Sequence, residues 1–541
     1  MRKLEKARKR EMEAMEGRTA ATGRRPDGAA TFDPWRPTYH VTPPVGWMND
    51  PNGFSFRDGV AHLFFQYNPY AAVWGPMHWG HVSTVDFVAW KRLPAALAPD
   101  KWYDRLMGCF SGTALVAPDA GELDAGRRGA GTPDGPGDFV LMYTGVSLTG
   151  RQQQCLARSR DGIDFVKDPA NPVIPTRALP RRAWKGAFRD PKVFRRAGAY
   201  WCLVGTQEKR TKTGLLLLYR SQDLRSWTYA GEALACPATD MIECPDLAEL
   251  NGRDLLLFSP TNHPAREDGF ANMHASVYSI GSLDLASGAF RGDDYREIDG
   301  GFDFYAPQTV RHPDGRTIMI AWMQMWKRTM PTAEAGLGWA GAMTLPRELT
   351  LRDGRLIQVP VREIEAYRRN PAVHRNVEIG ADRGTPDAPL VLDGVRGACA
   401  ELIVDADLGT ASVLEIGLFA GGNGDPAGGG RSGGRRTVIR YDRAAGRVSL
   451  DRSRSGVPIR ELHRGGSPSA VRSRRYDAAD GRLRLRVFLD RSSVEVFVGG
   501  GELTLTACVY PESGDEGIEF SCEGGVAVLT SVEKWDLDIG S

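Results

Sequence analysis

Long apolar runs, a charge excess of either sign and paired cysteines are what this sequence lacks, and each absence excludes a class of protein. No apolar run approaches the roughly 18 residues that cross a bilayer as a helix. Lysine and arginine total 69 against 67 for aspartate and glutamate, a net charge of +2. The basic footprint of a nucleic-acid binder is therefore missing. The eight cysteines, at 109, 155, 202, 236, 244, 399, 508 and 522, are scattered without paired spacing. Several lie inside apolar runs, as Cys202 does in "YWCLVG", which suits reduced, buried thiols better than a disulfide framework. No CxxC or HExxH spacing occurs, so neither a metal nor a cofactor is expected. The charged opening stretch "MRKLEKARKREMEAMEGR" has no apolar h-region and does not read as a secretory signal. Together with the reduced cysteines, this predicts a cytoplasmic location.

What is present is β patterning at length. The chain has 541 residues, more than one ordinary domain holds. Its 42% hydrophobic and 25% charged content is that of a globular protein. Residues 1–31 read as a charged tail. Five strand-like runs follow: "AHLFFQY" from 61, "DFVLMYTG" from 138, "AYWCLVG" from 199, "DLLLFSP" from 254 and "TIMIAWM" from 317. An aspartate in a polar turn beside an aromatic or apolar residue recurs with them, at Asp86, Asp161, Asp223 and Asp284. A unit repeating about every 60 residues is the signature of a propeller, each unit supplying one four-stranded blade. Five runs predict five blades over residues 32–358. The stretch "QVPVREIEAYRRNP" has a short helical pattern ending at Pro371, and residues 359–375 read as a linker. Residues 376–541 resume β patterning with strict alternation in "LRLRVFLD" and "SVEVFV", which predicts half-buried strands of a β-sandwich. The predicted class is all-β throughout. Two low-complexity stretches, from 121 and from 421, read as surface insertions.

Three acids occupy similar places in this scheme. Asp50 in "WMNDPNG", Asp190 in "FRDPKVF" and Glu243 in "MIECPDL" each lie just before a strand-like run, flanked by apolar residues and followed by proline. Singly, each is explained by turn chemistry, since Asx, Pro and Gly all favour bends. In three successive positions of one repeat they point to a common axis. Sugar hydrolysis needs such a gathering. One carboxylic acid protonates the leaving oxygen, and a second carboxylate works from the opposite side of the ring. Two acids held close together cannot ionise equally, which separates their roles.

The ordered set "WMNDPNG", "FRDP" and "ECPD" resembles the signature segments of glycoside hydrolase family 32, the β-fructofuranosidases. "FFQYNP", "WGPMHWGH", "CFSGTA", "FDFYAPQT", "AWMQMW" and "RVFLDRSSVEVF" are similar to that family too. The resemblance runs from about residue 38 to the end. It implies a five-bladed propeller with a β-sandwich behind it, and a retaining double displacement. It implies Asp50 as nucleophile, Glu243 as general acid and then base, and Asp190 as stabiliser of the transition state. Arg189 would bind substrate and keep Asp190 ionised. Trp47, Asn49, Gln66, Trp74, Phe110, Ser111, Tyr305 and Trp322 match positions that contact the sugar, with core packing the alternative for Trp74 and Trp322. A general acid needs a proton at working pH, so Glu243 is expected well above the ordinary value of about 4.3.

The segments "FSPTNHPAREDG" and "PTRALPRRAWKGAF" depart from the commonest family pattern and leave the leaving-group preference open. The expected partner is a small-molecule sugar, not nucleic acid or membrane, and the oligomeric state is not readable. The expected activity is release of β-linked fructose from sucrose or short fructo-oligosaccharides. A fructosyltransferase and a sucrose-6-phosphate hydrolase share the implied chemistry and stay open as alternatives. A non-catalytic carbohydrate-binding protein is disfavoured because all three carboxylates are present. Inverting pentosidases on similar folds would not be expected to carry the full motif set. Cys244 follows Glu243 directly and, by strand alternation, is expected to point away from it.

Overall fold

The structure, a computed structural model, describes residues 33–105, 107–116, 138–421, 434–462 and 469–540. The charged tail and nearly all of the two low-complexity stretches lie outside these residues. Each of the five apolar runs forms the second strand of an antiparallel sheet, and the acids ride on the strand before it. The five first strands are Gly46–Arg57, Gly108–Val116, Ala183–Arg196, Met241–Leu250 and Tyr305–Arg311. Each opens a sheet of four or five strands. Each first strand packs against the first strand of the next sheet, and the fifth packs back on the first. A short strand, Trp339–Ala340, also pairs in parallel with Gly46 and Trp47.

The recurrent aspartates have a structural role. Three follow a third strand ending in Thr or Ser, and all accept backbone N–H bonds from the turn beyond. Asp86 takes Val88 and Ala89 at 3.0 and 2.9 Å. Asp161 takes Ile163 and Asp164, both at 2.9 Å. Asp223 takes Arg225 and Ser226 at 2.8 and 2.7 Å, and Asp284 takes Ala286 at 2.9 Å. A short side chain that mimics a backbone acceptor is what Asx turns require.

Two six-stranded antiparallel sheets make up the C-terminal part. Alternation sorts their faces: Leu483, Leu485, Val487 and Leu489 enter the core with Leu402 and Val404 of the neighbouring strand and Leu414 and Ile416 of the other sheet, while Arg482 and Arg484 point out. The sequence-derived linker is built differently from expectation. Its helical pattern is a 3-10 turn over Arg362–Tyr367, and Arg368–Gly380 is already a strand of the sandwich. Pro371 fits there because the pairing slips between Arg369 and Ala372, and a bulge tolerates a residue without an N–H.

Buried charges join the two parts. His40 lies between Asp490, 2.8 Å from Nδ1, and Glu495, 2.9 Å from Nε2, with every side chain shielded from solvent. Arg347 donates to Glu495 at 2.7 Å and to Asp299 at 3.1 Å. Thr38 and Tyr39 donate backbone N–H bonds to Asp490 at 2.7 and 3.0 Å.

Candidate active site

The seven residues "WMNDPNG" contain every signal for a turn, yet they lie inside the first strand. A bulge reconciles the two. Asn49 and Asp50 together stand opposite Gln66 alone. The same irregularity recurs in every first strand. Ser111 is the extra residue in the second sheet. Asp190 and Pro191 oppose Val204 in the third, Cys244 and Pro245 oppose Phe258 in the fourth, and Ala306 and Pro307 oppose Ala321 in the fifth. Asp190, Cys244 and Ala306 have φ of 65°, 44° and 52°, a region that costs a non-glycine residue energy and is found at functional sites. A bulge re-aims the side chain it carries. Five of them in a ring turn side chains from separate sheets toward one place.

Glu243 and Cys244 therefore both face the site, against the alternation expected of a plain strand. The Cys244 thiol lies 3.5 Å from Asp50 Oδ2 and 3.6 Å from Asp190 Oδ2, and its backbone N–H donates to Asp190 Oδ2 at 3.1 Å. Burial first, and then the three neighbouring acids, push that thiol well above its ordinary value, so it stays a protonated donor. Ser111 Oγ donates to Asp50 Oδ2 at 2.7 Å. The second oxygen of Asp50, Oδ1, is buried without a hydrogen-bond partner. Trp47 Nε1 donates to Asn49 Oδ1 at 2.7 Å, which orients the residue beside Asp50.

Glu243 has both carboxylate oxygens occupied. Arg189 Nη2 donates to its Oε1, and the Tyr305 hydroxyl donates to Oε2 at 2.5 Å. His274 lies nearby, its ring 5.9 Å from that of Tyr305. Burial raises the Glu243 carboxyl, but Arg189, His274 and the two hydrogen bonds outweigh it and hold Glu243 below its ordinary value. This reverses the elevation expected of a general acid. The elevated acid is Asp190, which burial and the charges of Glu243 and Asp50 carry to about 7 in spite of Arg189. Arg189 sits 3.8 Å from Asp190 through Nε; it donates to Gln152 Oε1 at 3.3 Å and to Glu243, so the carboxylate it hydrogen-bonds is not its sequence neighbour. Asp50 is also raised, by burial and by the Glu243 charge, against the hydrogen bond from Ser111.

The remaining predicted residues divide by exposure. Trp74 is 38% exposed and meets Phe110 edge-on at 5.9 Å, an aromatic rim. Trp322 is fully buried. It backs Trp47 at 5.8 Å and Tyr305 at 6.4 Å, while its Nε1 has no partner. Gln66 is nearly buried and donates to the Cys109 carbonyl at 3.0 Å, stitching the first sheet to the second. Sequence reasoning missed Trp326, which stacks on Trp47 at 6.1 Å, and His274. Trp326 closes the "AWMQMW" stretch, four residues past the strand end at Trp322, and could have been read from that motif; His274 lies in the connection between Thr261 and Val277, where no pattern marks it. Among the described residues no group of three or more His, Cys, Asp or Glu is arranged to hold a metal ion.

Comparison with known proteins agrees with this arrangement. The model of the glycosyl hydrolases family 32 N-terminal domain matches residues 40–360, and that of the family 32 C-terminal domain matches 363–536. A sucrose-6-phosphate hydrolase of Zymomonas mobilis is 36% identical over 93% of this chain and 92% of its own length. A raffinose invertase of Escherichia coli is 36% identical over 93% and 95%. Among solved structures, the family 32 β-fructofuranosidase of Bombyx mori superposes with a TM-score of 0.78 at 33% identity, covering 98% of both chains. These relatives share the all-β build of a propeller followed by a sandwich. Two domain models matched in order, covering the bulged strands and the two C-terminal sheets alike, place this chain in glycoside hydrolase family 32.

Proposed function

We propose that this enzyme is a retaining β-fructofuranosidase that hydrolyses sucrose and short fructo-oligosaccharides, with Asp50, Asp190 and Glu243 as its working carboxylates. The observation that carries the reading is the state of Asp50. One oxygen is occupied by Ser111 and the Cys244 thiol, and the other is buried and bare. A carboxylate so fixed has a single oxygen to offer C2 of a fructosyl unit. In the first step Oδ1 attacks that carbon while Glu243 protonates the departing glycosidic oxygen. In the second, Glu243 takes a proton from water, which attacks the same carbon and frees Asp50. Asp190 accepts hydrogen bonds from fructose hydroxyls and offsets the positive charge that develops on the ring. Trp47 and Trp326 supply an apolar wall, and Trp74 with Phe110 borders the leaving group.

The five sheets and the ring of first strands support a five-bladed propeller over residues 32–358, and the two later sheets support a sandwich from about 376. The hydrolase and invertase names of the relatives support sucrose-type substrates. The cysteines of the described residues are all free, which supports a cytoplasmic enzyme; native protein recovered from culture medium would refute that location.

Initial rates on sucrose, sucrose 6-phosphate, kestose, inulin and levan, measured side by side with Asp50→Asn as control, test the reading. Sucrose or kestose should exceed inulin and levan in kcat/KM. Asp50→Asn should fold normally and lose at least about 1,000-fold in kcat. Near-parental turnover in that variant, or equal efficiency on the polymers, would overturn it.

A further inference from the structure

We propose that the buried ion pair between Lys192 and Asp246 positions Glu243 against Arg189 and Tyr305, making both members positioning residues for cleavage of the glycosidic bond. The proposal rests on the reading of Glu243 as the general acid.

Register places the pair. Lys192 is the first residue back in pairing beyond the bulge that carries Asp190, opposite Leu203. Asp246 is the first beyond the bulge that follows Glu243, opposite Leu257. Gln308 holds the same place in the fifth sheet, opposite Ile320. The ion pair thus lies directly behind the residues that face the sugar. Lys192 Nζ meets Asp246 Oδ1, with 13% of the lysine side chain and none of the aspartate exposed. The fourth strand contributes the Leu247 N–H to Oδ1 at 2.9 Å. The fifth contributes Thr309 to Oδ2, through its N–H at 2.5 Å and its hydroxyl at 2.8 Å.

Asp246 therefore gathers three first strands at one carboxylate. They are the three that carry Arg189, Glu243 and Tyr305. Those residues meet in front of the pair, where Arg189 and Tyr305 hold the two oxygens of Glu243. A bulged strand has lost local pairing and can shift along its neighbour. A charge-assisted bond just past each bulge fixes the phase of the third strand against the fourth. Asp50 and Ser111 lie on the first and second strands and make no bond to the pair; the fourth strand reaches Asp50 only through the Cys244 thiol at 3.5 Å, whereas it carries Glu243 itself. Loss of the pair should therefore impair proton donation more than attack.

The test uses the full-length enzyme with sucrose and p-nitrophenyl β-fructofuranoside, whose leaving group needs little protonation. Four proteins are compared with the parent: Lys192→Met, Asp246→Leu, the double variant and Glu243→Ala. Lys192→Met should lose about tenfold more kcat on sucrose than on the aryl fructoside, with KM for the aryl substrate unchanged. Either single variant leaves one buried charge unpaired and should melt lower. The double variant leaves no unpaired charge, although the Leu247 and Thr309 donors lose their acceptor; it should melt above Asp246→Leu, yet keep the discrimination between leaving groups. A double variant that regains sucrose activity together with Tm would reduce the pair to a structural role. So would equal losses on both substrates in Lys192→Met while Glu243→Ala still discriminates. If Glu243→Ala itself falls equally on both, the acid assignment fails, and this proposal fails with it.

Discussion

Arg189 decides which of two acids carries a proton. It donates to Glu243 while its Nε stays 3.8 Å from Asp190. Turning toward Asp190 would withdraw the charge that depresses Glu243 and lower Asp190 in one movement. On the proposed role of Glu243 as general acid, that exchange belongs to sugar binding. The alkaline limb of kcat/KM reports the free enzyme, and that of kcat reports the complex. The kcat limb should lie at higher pH; coincident limbs would contradict the exchange. Asp190 gives a second prediction. Its carboxyl is raised from 3.8 to about 7, so it binds its proton more tightly folded than unfolded. The stability this provides is complete below pH 3.8 and is lost as pH rises through 7. Asp190→Asn removes the buried charge that remains above that pH. The variant should lose nearly all turnover and melt about 1–3 °C above the parent at pH 8. The gap should close by pH 4. A lower melting point at pH 8 would show that Arg189 depends on the charge more than burial opposes it.

Bulged first strands require close contact between neighbouring sheets, and glycine makes room for it. A Cβ on Gly205 would stand 1.9 Å from the Ile242 carbonyl oxygen, backbone that cannot swing aside. Ile242 precedes Glu243 on the same strand. Gly205→Ala should cost about 1–3 kcal/mol, read as a lower Tm, and should reduce kcat as well. Parental values for both would mean that the sheets can separate without disturbing the acid. The same strands show what the sequence made legible. The apolar runs, the turn aspartates and the acid-proline pairs were all visible, because each depends on residues within a few positions of one another. The direction of Cys244 was not. Alternation assigns it the opposite face from Glu243, and only the pairing with Phe258 reveals a residue too many on one side. The linker boundary failed for the same reason, since Pro371 stops a helix but not a bulged strand. The lowered Glu243 was hidden too, because its cause, the direction in which Arg189 reaches, is a choice between two acids that spacing does not settle.

At the scale of the molecule, His40 links the two domains. Burial opposes its charge, but hydrogen bonds to Asp490 and Glu495 outweigh burial and raise it from 6.5 to about 9. Arg347 and Asp299 complete the charged groups around it, through Glu495. A histidine raised on folding stabilises fully below pH 6.5, and that stability is lost as pH rises through 9. The contribution is on the order of 3 kcal/mol. The parent should melt progressively lower between pH 6.5 and 9.5, and His40→Gln should flatten that decline while melting lower at pH 6. An unchanged decline in the variant would assign it to other groups. None of this was legible from the chain, because Tyr39 and Asp490 are 451 positions apart. That separation also sets a schedule. A ribosome adding about 5–20 residues each second has tens of seconds of work between the two. Throughout that interval Thr38, Tyr39 and His40 have been made and Asp490 has not, so the first described segment of the chain is among the last to find its place.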